Sequence, residues 1–199
     1  NTAITSFNIS KETLSSGITV PEDNAIKTIG VGAFANCKYL KTFAVPAGIT
    51  SISAEMFMDC SVLETVYLHN NIKNIGSYAF AQCTSLVLEV LPTKLERIEE
   101  SAFAYCHSIT TITLPTTLEY IGSNAFNGCV SLKNLSGFQY LVKYKKIALG
   151  ESIFDNCHNQ LYYYKDYLVY LKEDGDNETF YIVGAVLVKP FHNNSKYAG

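Results

Sequence analysis

The sequence predicts an α/β solenoid. The expected form is a right-handed coil with a parallel β-sheet along one side, short helical turns along the other, and a C-terminal β-hairpin cap. Three observations carry this. The cysteines at Cys37, Cys60, Cys83, Cys106 and Cys129 are separated by gaps of 23 residues, and Cys157 follows after a gap of 28. A phenylalanine stands three residues before each cysteine, at Phe34, Phe57, Phe80, Phe103, Phe126 and Phe154. Within each unit, apolar residues run first with the period of a helix and then with the period of a strand.

The helical part is read from Ala79, Cys83 and Leu86, spaced i, i+4 and i+7 as on one face of a short helix. The strand part is read from the positions six and eight after the cysteine. These are Phe43 and Val45, Val66 and Leu68, Glu89 and Leu91, and Ile112 and Leu114, with mostly polar neighbours. Proline at Pro46, Pro92 and Pro115 ends the strand, because it has no N–H for a ladder. Two further apolar columns follow as a tight return: Ile49, Ile72, Leu95 and Leu118, then Ile52, Ile75, Ile98 and Ile121. One such coil has no interior. Its apolar positions are covered only when the next coil stacks on it, and the two ends need caps. With strands about 4.8 Å apart, the stack is expected to be roughly 30 Å long.

Composition limits the function. The chain has 199 residues, 48% hydrophobic and 17% charged, which is ample for a core. A net charge of -3 and a pI near 5.8 give no electrostatic grip on nucleic acid or an anionic membrane. Lys143, Lys145 and Lys146 form the one small basic cluster, read as a solvated face. No apolar run is long enough for a membrane-spanning helix. The chain begins at Asn1 without a signal peptide, so a mature product or a fragment of a longer protein is expected.

The unit Ile-Gly-x-x-Ala-Phe-x-x-Cys-x-x-Leu-x-x-Ile-x-Leu-Pro is best preserved from Ile75 to Pro92 and from Ile121 to Leu135. It resembles the BspA-type leucine-rich-repeat family over about residues 29–161. The resemblance implies a leucine-rich-repeat coil. It also implies an extracellular or cell-surface location, and adhesion or other protein contacts.

Three regions depart from the repeat. Residues 1–28 keep Leu14, Ile18, Val20, Pro21 and Ile26 without the Phe and Cys, and read as an N-terminal cap or partial repeat. Five extra residues fall somewhere in 136–148, and the pattern re-enters at Leu149-Gly150. Residues 162–199 read as a β-rich cap or the start of a further module. Tyr162–Leu171 and Thr179–Val188 flank Asp174-Gly175 as a hairpin, and His192–Gly199 forms a polar tail.

No catalytic constellation is present. The sequence has no Gly-x-Ser-x-Gly, no glycine-rich phosphate loop and no His-Glu-x-x-His, so no enzyme is expected. No cofactor is expected either. The cysteines lack Cys-x-x-Cys spacing and the histidines are scattered, so no metal site is expected. A regular ladder does not favour disulfide torsions, and each cysteine is read as a small buried hydrophobe that stays a free thiol. Glycosylation sequons at Asn8, Asn134, Asn177 and Asn193 matter only in a eukaryotic source.

The remaining surface for function is the outward face of the sheet, five and seven residues after each cysteine. Its candidates are Thr42, Ala44, Thr65, Tyr67, Leu88, Val90, Thr111, Thr113, Asn134 and Ser136. Short hydroxyls around one tyrosine suit a protein or glycan ligand. They also suit exposed strand positions with no ligand at all. Tyr162, Tyr163, Tyr164, Tyr167 and Tyr170 form a second candidate, or cap packing. The expected role is a binding module, with a non-binding spacer in a larger surface protein as the alternative. Glu89 stands in an otherwise apolar column. Either the strand slips locally, burying Leu88 and Val90 and solvating Glu89, or the common register puts Leu88 and Val90 outside and Glu89 in the core.

Overall fold

The computed structural model describes residues 6–7, 26–157, 161–164, 167–174 and 177–185. In chain order the elements are β1 (Ser6–Phe7), β2 (Thr42–Ala44), β3 (Ser51–Ile52), β4 (Thr65–Tyr67), β5 (Asn74–Ile75), β6 (Arg97–Ile98), β7 (Thr111–Thr113), β8 (Tyr120–Ile121) and β9 (Asn134–Ser136). They continue with α1 (Phe138–Tyr140), a π-type turn (Leu141–Lys145), β10 (Ala148–Leu149), β11 (Leu161–Tyr164), β12 (Tyr167–Asp174) and β13 (Asn177–Ala185).

The chain winds as a parallel-strand solenoid. The residues five to seven after Cys37, Cys60, Cys106 and Cys129 line the first sheet, which is in two pieces ordered β1-β2-β4 and β7-β9, with β1 added from the N-terminal segment; each pair is parallel and in step. The return segment forms a second parallel sheet of five strands, ordered β3-β5-β6-β8-β10. Each of its strands is only two residues long, with one isoleucine or leucine turned inward and a polar or small residue turned out.

Among the described residues, the helical turns expected on the remaining side of the coils are not there. The segment from the return strand to the cysteine is a run of tight turns, and its hydrogen bonds alternate in direction. In one coil, Met56, Met58 and Cys60 donate to carbonyls three residues back, while Glu55, Phe57 and Asp59 donate to the next coil. A helix is excluded by two left-handed residues per coil, five and one before the cysteine. They include Glu55 and Asp59, Tyr78 and Gln82, and Ser101 and Tyr105. Positive φ at the third position is the mark of a type II turn, and no α-helix tolerates it every fourth residue. The i, i+4, i+7 spacing was produced by turns of three residues each, as in Cys83 N–H to the Phe80 carbonyl and Leu86 N–H to the Cys83 carbonyl.

The core is a set of columns. Phe34, Phe57, Phe80, Phe103, Phe126 and Phe154 stack face to face, with neighbouring centroids 5.2 to 5.7 Å apart and planes within 12°. Phe43 lies beside the first pair, 4.8 Å from Phe34 and edge-on to Phe57 at 4.9 Å, and Phe138 meets the last ring, 5.4 Å from Phe154 and perpendicular to it. Edge-on arrangements of this kind are among the favoured ones for aromatic rings.

The cysteines form a second column, and all six are free thiols. They are more than small hydrophobes. Each Sγ from Cys60 onward donates to the phenylalanine carbonyl of the preceding coil: Cys60 to Phe34 at 2.9 Å, and Cys83 to Phe57, Cys106 to Phe80, Cys129 to Phe103 and Cys157 to Phe126 at 3.1 Å. That carbonyl already accepts the cysteine N–H of its own coil. The thiol therefore uses the second lone pair of a buried carbonyl. Burial raises the thiol pKa values from the ordinary 9.0, to about 11 for Cys60 and about 12 for Cys157, and it raises those of Cys83, Cys106 and Cys129 as well.

The five extra residues follow Gly137, which has φ +86° and whose missing Cβ leaves room for the Leu114 carbonyl oxygen. Leu141 then takes the buried position of Ile49, Ile72, Leu95 and Leu118, and Leu149, half-buried, pairs in register with Ile121. The π-type turn absorbs the difference in length. At the far end β11, β12 and β13 form an antiparallel sheet, and β12 and β13 pair from Asp174 with Asn177. Gly175, the tail His192–Gly199, and Leu14, Ile18, Val20 and Pro21 of the expected N-terminal cap lie outside the described residues.

Two outcomes follow from these columns. Phe80→Ala removes a ring held between two others and should destabilise the fold by about 3–5 kcal/mol, read as a lowered denaturation midpoint. The thiols bind their protons more tightly folded than unfolded. Stability should therefore hold up to about pH 9 and fall as pH rises from there through the folded values. Denaturation midpoints between pH 7 and 10.5 check this, and Cys106→Ser, which cannot ionise there, should fall less steeply than the parent.

Candidate functional site

The outward face of the first sheet carries side chains that core packing does not use. Thr42, Thr65, Tyr67 and Thr111 are half-buried, while Thr113, Asn134 and Ser136 are exposed. Ala44 is buried and offers no contact surface. The candidates thus lie along one face in register, Thr42 beside Thr65, and Thr111 and Thr113 beside Asn134 and Ser136.

The coil between β4 and β7 is different, and neither register expected for Glu89 describes it. Leu88 is buried at 9% exposure, while Glu89 is solvated, as a slip requires. Yet Val90 remains 64% exposed and bridges Thr113 in the common register. The slip therefore covers two residues and is cancelled by the third. Leu88, offered as an outward contact, belongs to the core. The cause is the cost of placing a carboxylate in the apolar interior, which exceeds the cost of two distorted residues. The price of the distortion is the strand itself. Among the described residues this coil forms no ladder with β4, and towards β7 it keeps the Val90–Thr113 bridge, the Thr113 N–H to Glu89 carbonyl bond and the Leu91 N–H to Thr113 carbonyl bond at 3.5 Å.

The distortion leaves Val87 and Val90 on the surface, 54% and 64% exposed, three residues apart. In the column of Val87 the other coils place Lys41, Glu64, Thr110 and Lys133, and Lys41 pairs with Glu64 at 3.3 Å. An apolar spot thus interrupts a polar face beside Tyr67 and Thr113. No feature of the sequence separated Val90 from Leu88. The exposed Val87 was visible as an apolar residue in a charged column.

The second sheet presents a contrasting surface. Lys73 meets Glu96 at 2.7 Å, Arg97 meets Glu99 at 2.7 Å, and the Arg97 guanidinium lies 4.3 Å from the Tyr120 ring centre. Hydrogen bonds to the carboxylates raise the Lys73 and Arg97 pKa values. These charges are spent on their neighbours. Among the described residues no three His, Cys, Asp or Glu side chains gather as a metal ion requires. No helix there is long and apolar enough to cross a membrane.

The family model for the BspA type leucine rich repeat region matches in six copies, over residues 2–133 and 89–165. This chain belongs to the BspA-type leucine-rich-repeat family. A leucine-rich repeat protein from Bacteroides ovatus is 38% identical over 52% of the chain, with a TM-score of 0.50, and the chain spans 27% of that protein's length. The T. pallidum leucine-rich repeat protein TpLRR is 21% identical over 77% of each chain, with a TM-score of 0.57. One from Eubacterium ventriosum is 24% identical over 82% of this chain and 41% of that one, with a TM-score of 0.55. At those two identities the likeness is one of fold. No curated protein matches the chain.

The reading of the distorted coil is testable by stability. Leu88→Ala should cost about 2–5 kcal/mol, as for a buried leucine. Glu89→Gln should stay within about 0.5 kcal/mol, as for a surface change. Urea denaturation of the two variants decides it, and the reverse order would place Glu89 inside.

Proposed function

We propose that this BspA-type repeat protein is a non-enzymatic binding module, secreted or displayed on a cell surface, that takes a protein or glycan ligand on the face of its first sheet. The observation that carries the reading is the apolar spot of Val87 and Val90 at the interrupted strand. Exposed apolar surface rimmed by polar groups is a mark of contact sites. Around it stand Tyr67 and the hydroxyls of Thr65, Thr111 and Thr113, with Thr42 further along, able to orient a ligand once apolar contact is made. Secretion or surface display rests on family membership. The chain's similarity to only a quarter or so of the Bacteroides ovatus protein leaves the role of a longer protein open to the same reading.

The sheet β11-β12-β13 fits this module as its C-terminal cover. Its strand β13 runs beside α1 and the π-type turn, where the core columns end. A cover there would keep the last coil from pairing with other chains.

The test is binding of the chain to immobilised extracellular-matrix proteins and to a glycan array. A ligand is expected that Val90→Asp and Tyr67→Ala each weaken at least tenfold without lowering the melting temperature. A chain that binds nothing in either format, or whose ligand ignores both substitutions, is a spacer or binds elsewhere, and the reading fails.

A further inference from the structure

Asn127-Gly128 is the one Asn-Gly step in the sequence, and it stands on the turn side of the coil that ends at Cys129. At the position of Asn127 the earlier coils place Ala35, Met58, Ala81 and Ala104, so the stack itself has no need of an amide there. The glycine, by contrast, is required. Gly128 has φ +73°, and a Cβ on it would lie 2.5 Å from Cδ1 of Tyr105 in the coil before. The Asn127 side chain is tied on both sides. Its Nδ2 donates to Asn124 Oδ1 at 3.0 Å, and its Oδ1 accepts from Asn156 Nδ2 at 3.3 Å. The Gly128 N–H donates to the Asp155 carbonyl at 2.7 Å.

Asparagine followed by glycine is the pair most open to self-modification, because glycine puts no side chain in the way of ring closure. The Gly128 amide nitrogen, deprotonated by hydroxide or a buffer base, attacks Asn127 Cγ. The Cγ–Nδ2 bond breaks and ammonia leaves, giving a five-membered succinimide. Water opens that ring at either carbonyl, to aspartate or to isoaspartate, whose main chain runs through Cγ. The net change is a water taken up and an ammonia lost. In the stacked coil the nucleophile is committed to Asp155, and the amide to Asn124 and Asn156. Asp155 and Asn156 both belong to the last coil of the described stack. Asn156 is exposed and Cys157 half-buried there, whereas Cys83, Cys106 and Cys129 are fully buried. Terminal units of such a stack open at lower free energy than internal ones.

We propose that Asn127 is a deamidation site gated by release of the last coil. Release frees the Gly128 nitrogen and loosens the Asn127 amide together, and the product makes the release permanent. Isoaspartate lengthens the main chain at this turn and moves the Gly128 N–H out of step with the Asp155 carbonyl. It also leaves a carboxylate where that coil returns. The coil that stacks Phe154 on Phe126 and bonds the Cys157 thiol to the Phe126 carbonyl then cannot reseat. The reaction is slow while the columns are intact, so it records the time the end of the solenoid has spent open. The site is separate from the sheet face around Val90 and does not depend on it.

The experiment incubates the full chain at mildly alkaline pH, folded and in concentrated urea, and follows Asn127 by peptide mapping and mass spectrometry. Deamidation should be at least tenfold slower in the folded chain than in urea. Phe154→Leu, which loosens the last coil, should speed the folded reaction at least threefold. Phe57→Leu, near the other end of the column, should leave it within twofold of the parent. The isoaspartate form, separated chromatographically, should react with a thiol reagent at Cys157 at least tenfold faster than the parent. Asn127→Asp, with the added charge but an ordinary main chain, should not. The proposal is overturned if Asn127 stays an amide even in urea, or deamidates as fast folded as unfolded. It is equally overturned if both phenylalanine substitutions speed the reaction alike, if the isoaspartate form keeps Cys157 as slow to react as the parent, or if Asn127→Asp exposes Cys157 equally.

Discussion

The phenylalanine carbonyl at the turn face is the point through which successive coils are joined. It lies in the apolar interior, where an acceptor left half-used is costly, and it takes two donors: the N–H of its own cysteine and the thiol of the next one. The phenylalanine N–H meanwhile donates to the next coil, at 2.8 Å from Phe57, Phe80 and Phe103. Each phenylalanine is thus fixed by backbone and side-chain bonds on both sides before its ring is stacked. The requirement reaches back to sequence. Cysteine is the residue that satisfies a carbonyl while remaining small and apolar enough for the column, and its raised thiol pKa keeps the donating proton in place.

Turns rather than helices follow from the same constraint. A helix would direct every N–H along its own axis and leave nothing for the neighbouring coil. Alternating turns send every second N–H sideways instead. The left-handed residues that make this possible are not glycines alone. Glu55, Asp59, Tyr78 and Gln82 hold positive φ, a conformation costly for such residues and repaid here by the inter-coil ladder.

Much of this was legible in the sequence, and the illegible part has a physical cause. Phe80 and Cys83 named their columns by spacing alone, because identical coils must bury identical positions. Ala79, Cys83 and Leu86 suggested a helix because one-sided burial has a similar period in a helix and in a chain of three-residue turns. The second sheet was read as a return only, since strands of two residues such as Asn74–Ile75 carry no alternation long enough to recognise. At the candidate site, Thr113 and Tyr67 could be placed by counting. Leu88 could not, since its burial depends on how far the backbone bends to expel the Glu89 carboxylate. Tyr144 fell in the stretch where counting stops.

That division bears on where function resides in such a protein. Residues that repeat serve the stack, and any coil's Phe or Cys is interchangeable with the next, so a ligand that reads one place on the solenoid must read a departure. Two departures are on this surface. One expels a charge and leaves Val87 and Val90 outside. The other inserts five residues and sets two tyrosines on a buried foundation. A uniform column of threonines would stack as well and expose less apolar area.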